Sequence, residues 1–315
     1  MVLASLLLAA GCGKSGPAAS GALSEGEKGL FAYLPADADV VFGGSYKDFA
    51  GYWENSPLKD LAAKGAGLGG DVQDWTECWS KFEDLTFAGT VSLGTQRMRM
   101  LARGLTADII ETCTKKLPGV EVTREDGGKY LVVKGLGGGA QEMGYYFIDD
   151  KTAYFSASLT GGGGTAPLAD LKADLAAAKT KSVLDNEKLQ ALAKTANRSS
   201  MMWFCGNAAG TPAAAQVKEG CISIGVTKSS LTMDFSVDLA TAETAEMAVA
   251  QFKAMASQLD KMPAQMAAVK DALSSILDKA KLDNDGALLT GHFELENSAI
   301  GPLVGMASMF GALMQ

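Results

Sequence analysis

Apolar and polar positions recur along this chain with two periods, and together they predict strands and helices in a repeating order. Period-two segments occupy residues 39–46, 86–93, the run in which Met98, Met100 and Ala102 alternate, and then 120–123, 130–134, 143–148 and 152–158. Turns at Gly94-Thr95-Gln96, Asp126-Gly127-Gly128 and Asp149-Asp150-Lys151 join several of these as hairpins. Helical spacing appears over 71–85, where Val72, Trp75, Trp79 and Phe82 share a face. It returns from Thr106, a capping residue, to Leu117, where Pro118-Gly119 stops it. Ser24-x-x-Glu27 is a capping box that opens a short helix ended by Pro35.

Gly161–Gly164 interrupts the pattern and marks a domain boundary. Beyond it a helix is predicted over 166–195, then strands at 200–205, 221–226 and 231–239. The helix over 241–262 carries Ala245, Val249, Phe252, Met255, Ala256 and Leu259 as its apolar stripe. Pro263 breaks it, a further helix runs to Lys281, and Asp283–Gly286 turns into a strand at 287–296. An offset of 135 positions pairs Val91 with Val226, Met98 with Met233, Met100 with Phe235, Thr106-Ala107 with Thr241-Ala242, and Glu111 with Glu246. Duplication and chance both produce matches over so short a stretch, and both readings stand at this point. The expected fold is α+β, in two similar modules at 25–160 and 165–315. Each would be a curved antiparallel sheet with amphipathic helices packed on one face.

Composition narrows the function classes. The chain has 315 residues, 47% hydrophobic and 20% charged, enough for a sizeable core. Its net charge is -8 and no Lys/Arg cluster offsets it, which argues against nucleic acid as a partner. The one histidine, His292, removes most imidazole chemistry. It alternates with Thr290 and Glu294 on what reads as a solvated strand face, and a Glu294–His292 acid/base pair is the functional alternative.

Residues 2–10 form an uncharged, Leu/Ala-rich run before Gly11-Cys12. Leu8-Ala9-Ala10-Gly11-Cys12 resembles the lipobox of bacterial lipoprotein signal peptides. That resemblance implies a signal peptide at 1–11, fatty acylation of Cys12, and a membrane partner reached through the lipid. The absence of Lys or Arg before the apolar run predicts a start upstream of Met1. Residues 12–24 would be the lipidated cysteine and a small, polar tether reaching on the order of 20 Å. Gly13 stands where an aspartate would signal inner-membrane retention, so outer-membrane delivery is favoured. A stretch from Leu34-Pro35-Ala36-Asp37 to Val41, with Ser56-Pro57-Leu58 after it, is similar to repeats in uncharacterised bacterial envelope proteins. That likeness implies an extracytoplasmic two-module protein and brings no activity.

With Cys12 acylated, Cys78, Cys113, Cys205 and Cys221 remain. An even number in an oxidising compartment predicts disulfides. Cys205 and Cys221 lie in consecutive strands and Cys78 and Cys113 in helices flanking a hairpin, so the expected pairs are 78–113 and 205–221. Each would contribute roughly 3–4 kcal/mol. Four buried free thiols are the alternative. The spacings are not CxxC, so neither zinc nor thiol redox chemistry is expected.

Other motifs fail on their geometry. Gly13-Lys14-Ser15 has Leu8 where a phosphate loop needs glycine, and Gly135–Ala140 leads to a strand rather than a helix. Asp283–Gly286 would put Lys281 and His292 at calcium-ligand positions. Asn197-Arg198-Ser199 matches a glycosylation sequon and, in a bacterial chain, reads as coincidence. Residues 298–315 carry no charge, with Ile300, Leu303, Val304, Ala307, Phe310 and Met314 on one helical face. A buried core helix is the first reading there, and a membrane-lying, ligand-covering or spanning helix the alternatives. Fourteen methionines read as core filling or as the lining of an apolar site. The functional expectation is a membrane-tethered envelope protein with a binding or scaffolding role, no catalytic centre, no cofactor, and an envelope protein or hydrophobic ligand as partner. Its rivals are a carrier or sensor of a hydrophobic ligand such as a lipid, and an envelope hydrolase with an unrecognised site.

Overall fold

The computed structural model describes residues 23–300 except 24, 48–50, 53–55, 58–79, 83–84, 116–118, 136–141, 160–164, 210 and 260–266. The fold is α+β. Its strands are β1 (Val40–Ser45), β2 (Thr86–Ser92), β3 (Arg97–Arg103), β4 (Glu121–Glu125), β5 (Tyr130–Lys134), β6 (Glu142–Asp149), β7 (Thr152–Ser158), β8 (Met202–Asn207), β9 (Val217–Val226), β10 (Ser230–Leu239), β11 (Lys281–Asp285) and β12 (Leu288–Glu296). Among the described residues the helices are α1 (Glu25–Phe31), α2 (Ala107–Thr114), α3 (Leu168–Thr180), α4 (Glu187–Ala193), α5 (Ala242–Leu259) and α6 (Ala267–Lys279). All twelve strands form one antiparallel sheet, in the order β11-β12-β10-β9-β8-β1-β2-β3-β7-β6-β5-β4.

The modules expected at 25–160 and 165–315 therefore share a sheet, because β1 pairs with β8 across the middle. The seam has a local two-fold character. α1 and α4 begin 162 residues apart, as do β1 and β8. At that offset Phe42 is the counterpart of Phe204, and these two pair with each other, rings 5.6 Å apart. Farther out the offset of 135 reappears in the helix caps. Thr106 Oγ1 accepts from the Ile109 N–H and Thr241 Oγ1 from the Thr244 N–H, each at 3.2 Å. Each such cap contributes about 1 kcal/mol. One expected match slips. Met98 faces Val91, seven positions back, whereas Met233 faces Ile224, nine back, rather than Val226; the connections 93–96 and 227–230 are equally long, and the second comes one residue earlier than an offset of 135 places it. Two residues are one strand period, so every side chain keeps its face.

Helices lie on both sides of the sheet. On one face α1, α3 and α4 cover Val41, Leu101, Tyr154, Trp203 and Cys205, forming the largest core. On the other, α2 packs against Leu131, Val133 and Ala153, and α5 packs against Val237 and Leu289. The helix expected over 166–195 is divided. Ser182 and Asp185 form a capping box, Asn186 caps α4, and the chain turns between them. These side chains satisfy the amides that a continuous helix would otherwise bond, so the break is favoured locally. Asp283 belongs to strand β11, not to a turn; the reversal comes at Gly286, whose φ of 60° only glycine adopts freely. Met255 is 49% exposed rather than part of the buried stripe of α5, since it sits about 80° around the helix from Ala245 at 100° per residue. Most of the helix expected over 71–85, and the tail from 301 onward, lie outside the described residues.

Candidate functional site

Two polar patches occupy corresponding positions on the α3 face, one in each half of the sheet. The first lies under α3. A row of paired strand residues, Thr90–Arg99–Ser156, crosses β2, β3 and β7. α3 turns Leu168, Leu171, Leu175 and Ala178 toward the core, and Asp174 is buried on the same face. Charge seats it as well. Arg99 Nε lies 3.1 Å from Asp174, and its two terminal nitrogens reach both Asp37 oxygens at 3.1 and 3.2 Å. Arg97 donates to Asp170 at 3.0 Å and to Ser156 Oγ at 3.1 Å. The Arg99 and Asp174 side chains are only 5% and 8% exposed, so each neutralises a charge that could not stand there alone. Burial, reinforced by the Asp174 charge, pushes the Tyr154 phenol well above its ordinary range. The patch is closed, and its arginines and aspartates are engaged with one another.

In the second half the same strand positions hold Ser223–Asp234–His292 across β9, β10 and β12. Asp234 Oδ1 lies 2.7 Å from His292 Nδ1, and Asn197 Nδ2 donates to Asp234 Oδ2 at 3.4 Å. Thr232 faces Glu294 and Asp283 faces Thr290 on this side of the sheet. The Asp234 and His292 side chains are 40% and 37% exposed, so this patch is open where its counterpart is closed. The Ser236 hydroxyl beside it is buried without a hydrogen-bond partner. Among the described residues no serine or cysteine is hydrogen-bonded to His292, and none form a group of three metal-ligating side chains. A half-exposed Asp–His pair on a sheet face can bind cationic or hydrogen-bonding groups.

The partner of His292 is Asp234 rather than Glu294, which instead lies 3.5 Å from Lys279. Strand neighbours two apart share a face, but the cross-strand neighbour is closer. Cys205 and Cys221 are bonded, S–S 2.08 Å, on adjacent strands beneath α4. Cys113 is also disulfide-bonded, to a partner outside the described residues; Cys12 and Cys78 both lie outside them. An apolar cavity lined by Leu23, Phe31, Val41, Val183, Leu189 and Ala193 holds about 10 Å³, room for one water and not for an acyl chain. Tyr145, packed beside Phe155, has its phenol pushed up to about 12 by burial. Two features escaped the sequence reading. Asp174 sits in an Ala/Lys-rich helix whose periodicity is silent, and Asp234 becomes a site residue only through strand register.

No protein-family model matches this chain, and no curated protein does. Among solved structures it is similar to crystal form III of TP0453, with TM-score 0.49 and 8% identity over 88% of this chain and 98% of that one. Crystal form IV of TP0453 gives 0.47 and 9% over 90% and 100%, and form I gives 0.45 and 10% over 88% and 96%. At those values the likenesses carry no functional argument.

Proposed function

We propose that this chain is a lipid-anchored, extracytoplasmic protein of a bacterial envelope, with a binding or scaffolding role and no catalysis of its own. The observation that carries the reading is the oxidised pair Cys205–Cys221 at the centre of the sheet. Structural disulfides persist in exported proteins and are rare in the cytosol of mesophiles. The lipobox-like run ending at Cys12 supplies the means of export and the anchor. Cys78 would be the partner of Cys113, and Gly13 after the acylated cysteine favours the outer membrane.

Binding is favoured over carriage because, among the described residues, the apolar cavity beside α1 and α4 is too small for a lipid chain, and the larger one, about 460 Å³, is lined by the charged Lys188, Lys218, Glu219 and Asp238. It is favoured over hydrolysis because, among the described residues, no nucleophile is hydrogen-bonded to the half-exposed Asp234–His292 pair. Replacing Cys12 by Ser tests the anchor. The wild-type chain should sediment with membranes and the Cys12→Ser chain should appear in the soluble fraction. A Cys12→Ser chain that stays with the membrane contradicts the proposal.

A further inference from the structure

We propose that the open face around Asp234 and His292 is a seat for a helix of another protein carrying basic residues, placed as α3 is placed on the first half of the sheet. The inference deepens the binding role proposed above and rests on it. Its basis is the correspondence between the two halves. β3 and β10 are equivalent at an offset of 135, fixed by the caps at Thr106 and Thr241. β7 and β12 correspond at 136, since Asp149↔Thr152 and Asp285↔Leu288 close matching hairpins. Arg97, Arg99 and Ser156 thus correspond to Thr232, Asp234 and His292.

In the first half, the cations on the strands receive a helix bearing Asp170 and Asp174. In the second half the central residue of the seat has the opposite sign. Asp234, Asp283, Glu294 and Glu296 alternate onto this face of β10, β11 and β12, against Lys281 and the rim residue Lys279. A helix fitting this seat must present cations where α3 presents Asp170 and Asp174. The chain does not supply them in the corresponding segment, because residues 298–315 contain no charged side chain. A partner protein would carry the complement. A guanidinium matches best, since it can take both Asp234 oxygens in one plane.

The probe is a synthetic peptide of the α3 sequence, residues 168–180, carrying Asp170→Arg and Asp174→Arg. A side-chain staple between positions 169 and 173, both exposed in α3, fixes the helix, so the cost of folding a short peptide does not mask binding. It is titrated against the full chain in solution, with amide chemical shifts recorded. The expected result is saturable shifts confined to β9, β10 and β12 around Asp234 and His292, weakened by salt. Asp234→Arg should reduce affinity by about tenfold or more. The stapled peptide with its native aspartates should then bind the Asp234→Arg chain and not the wild type. Asp234→Asn, nearly isosteric, checks that lost binding is not lost folding, and it should give an intermediate affinity. No shifts at millimolar peptide, or equal binding to wild type and Asp234→Arg, overturns the proposal. The titration needs no lipid, so its failure leaves the Cys12 result standing, and the reverse holds too.

Discussion

Arg99 and Asp174 show how a single buried pair can decide the position of a helix. Asp174 is 8% exposed, on the helix face that also buries Leu171 and Ala178. Removing Arg99 would leave that buried carboxylate with only Arg97, 3.7 Å away. Arg99→Met should therefore cost about 3–5 kcal/mol in denaturant unfolding. The double change Arg99→Met with Asp174→Leu should recover most of the loss, since no uncompensated charge remains. Equal stability of the single and double variants would contradict this account of how α3 is seated. The sequence offered little warning here. An aspartate among alanines and lysines looks like a solvated helix face, and only the strands beneath reveal its partner. His292 was legible as a strand residue on a polar face, whereas Asp234, 58 residues away, was not legible as its partner.

At the scale of elements, local chemistry was easier to read. Thr106 caps its helix as expected, and the Asp149-Asp150-Lys151 turn joins β6 to β7. Several strand glycines have a packing reason that periodicity did not reveal. They lie opposite aromatic residues whose rings cross the empty space: Phe42 over Gly89, Phe87 over Gly44, and Phe235 over Gly291. A Cβ at Gly89 would collide with the Phe42 ring and lie 2.6 Å from the Arg99 carbonyl oxygen, which is backbone and cannot swing away. Gly89→Ala should thus destabilise by about 1–3 kcal/mol, read as a lower unfolding midpoint. An unchanged midpoint would mean that the ring does not occupy that space. The sheet's outer strands carry their own protection. β4 exposes Glu121, Arg124 and Glu125, and β11 exposes Lys281, Asp283 and Asp285, which discourages edge pairing with another chain.

For the molecule as a whole, the strand-turn-strand-helix order shared by the two halves was legible over β3 and α2, while the sequence matches left duplication and chance both open. The first half carries the extra β4–β5 hairpin between α2 and β6, while the second has α6 in that interval. The offset between halves runs from 162 at α1 and β1 to 135 at the helix caps because residues 46–85 join β1 to β2 where only residues 208–216 join β8 to β9, and no single slide aligns both. The seam at Phe42 and Phe204 was also hidden, because strand pairing between distant segments leaves no local periodicity. The claim on which the functional account rests is export, with acylation at Cys12 and oxidation of the remaining cysteines. It is tested most directly by the intact mass of the protein purified from its own membranes, with and without reduction and alkylation. The account predicts a chain that starts at a lipid-modified Cys12 and takes up four alkyl groups only after reduction. A chain without lipid whose cysteines alkylate before any reduction would contradict it.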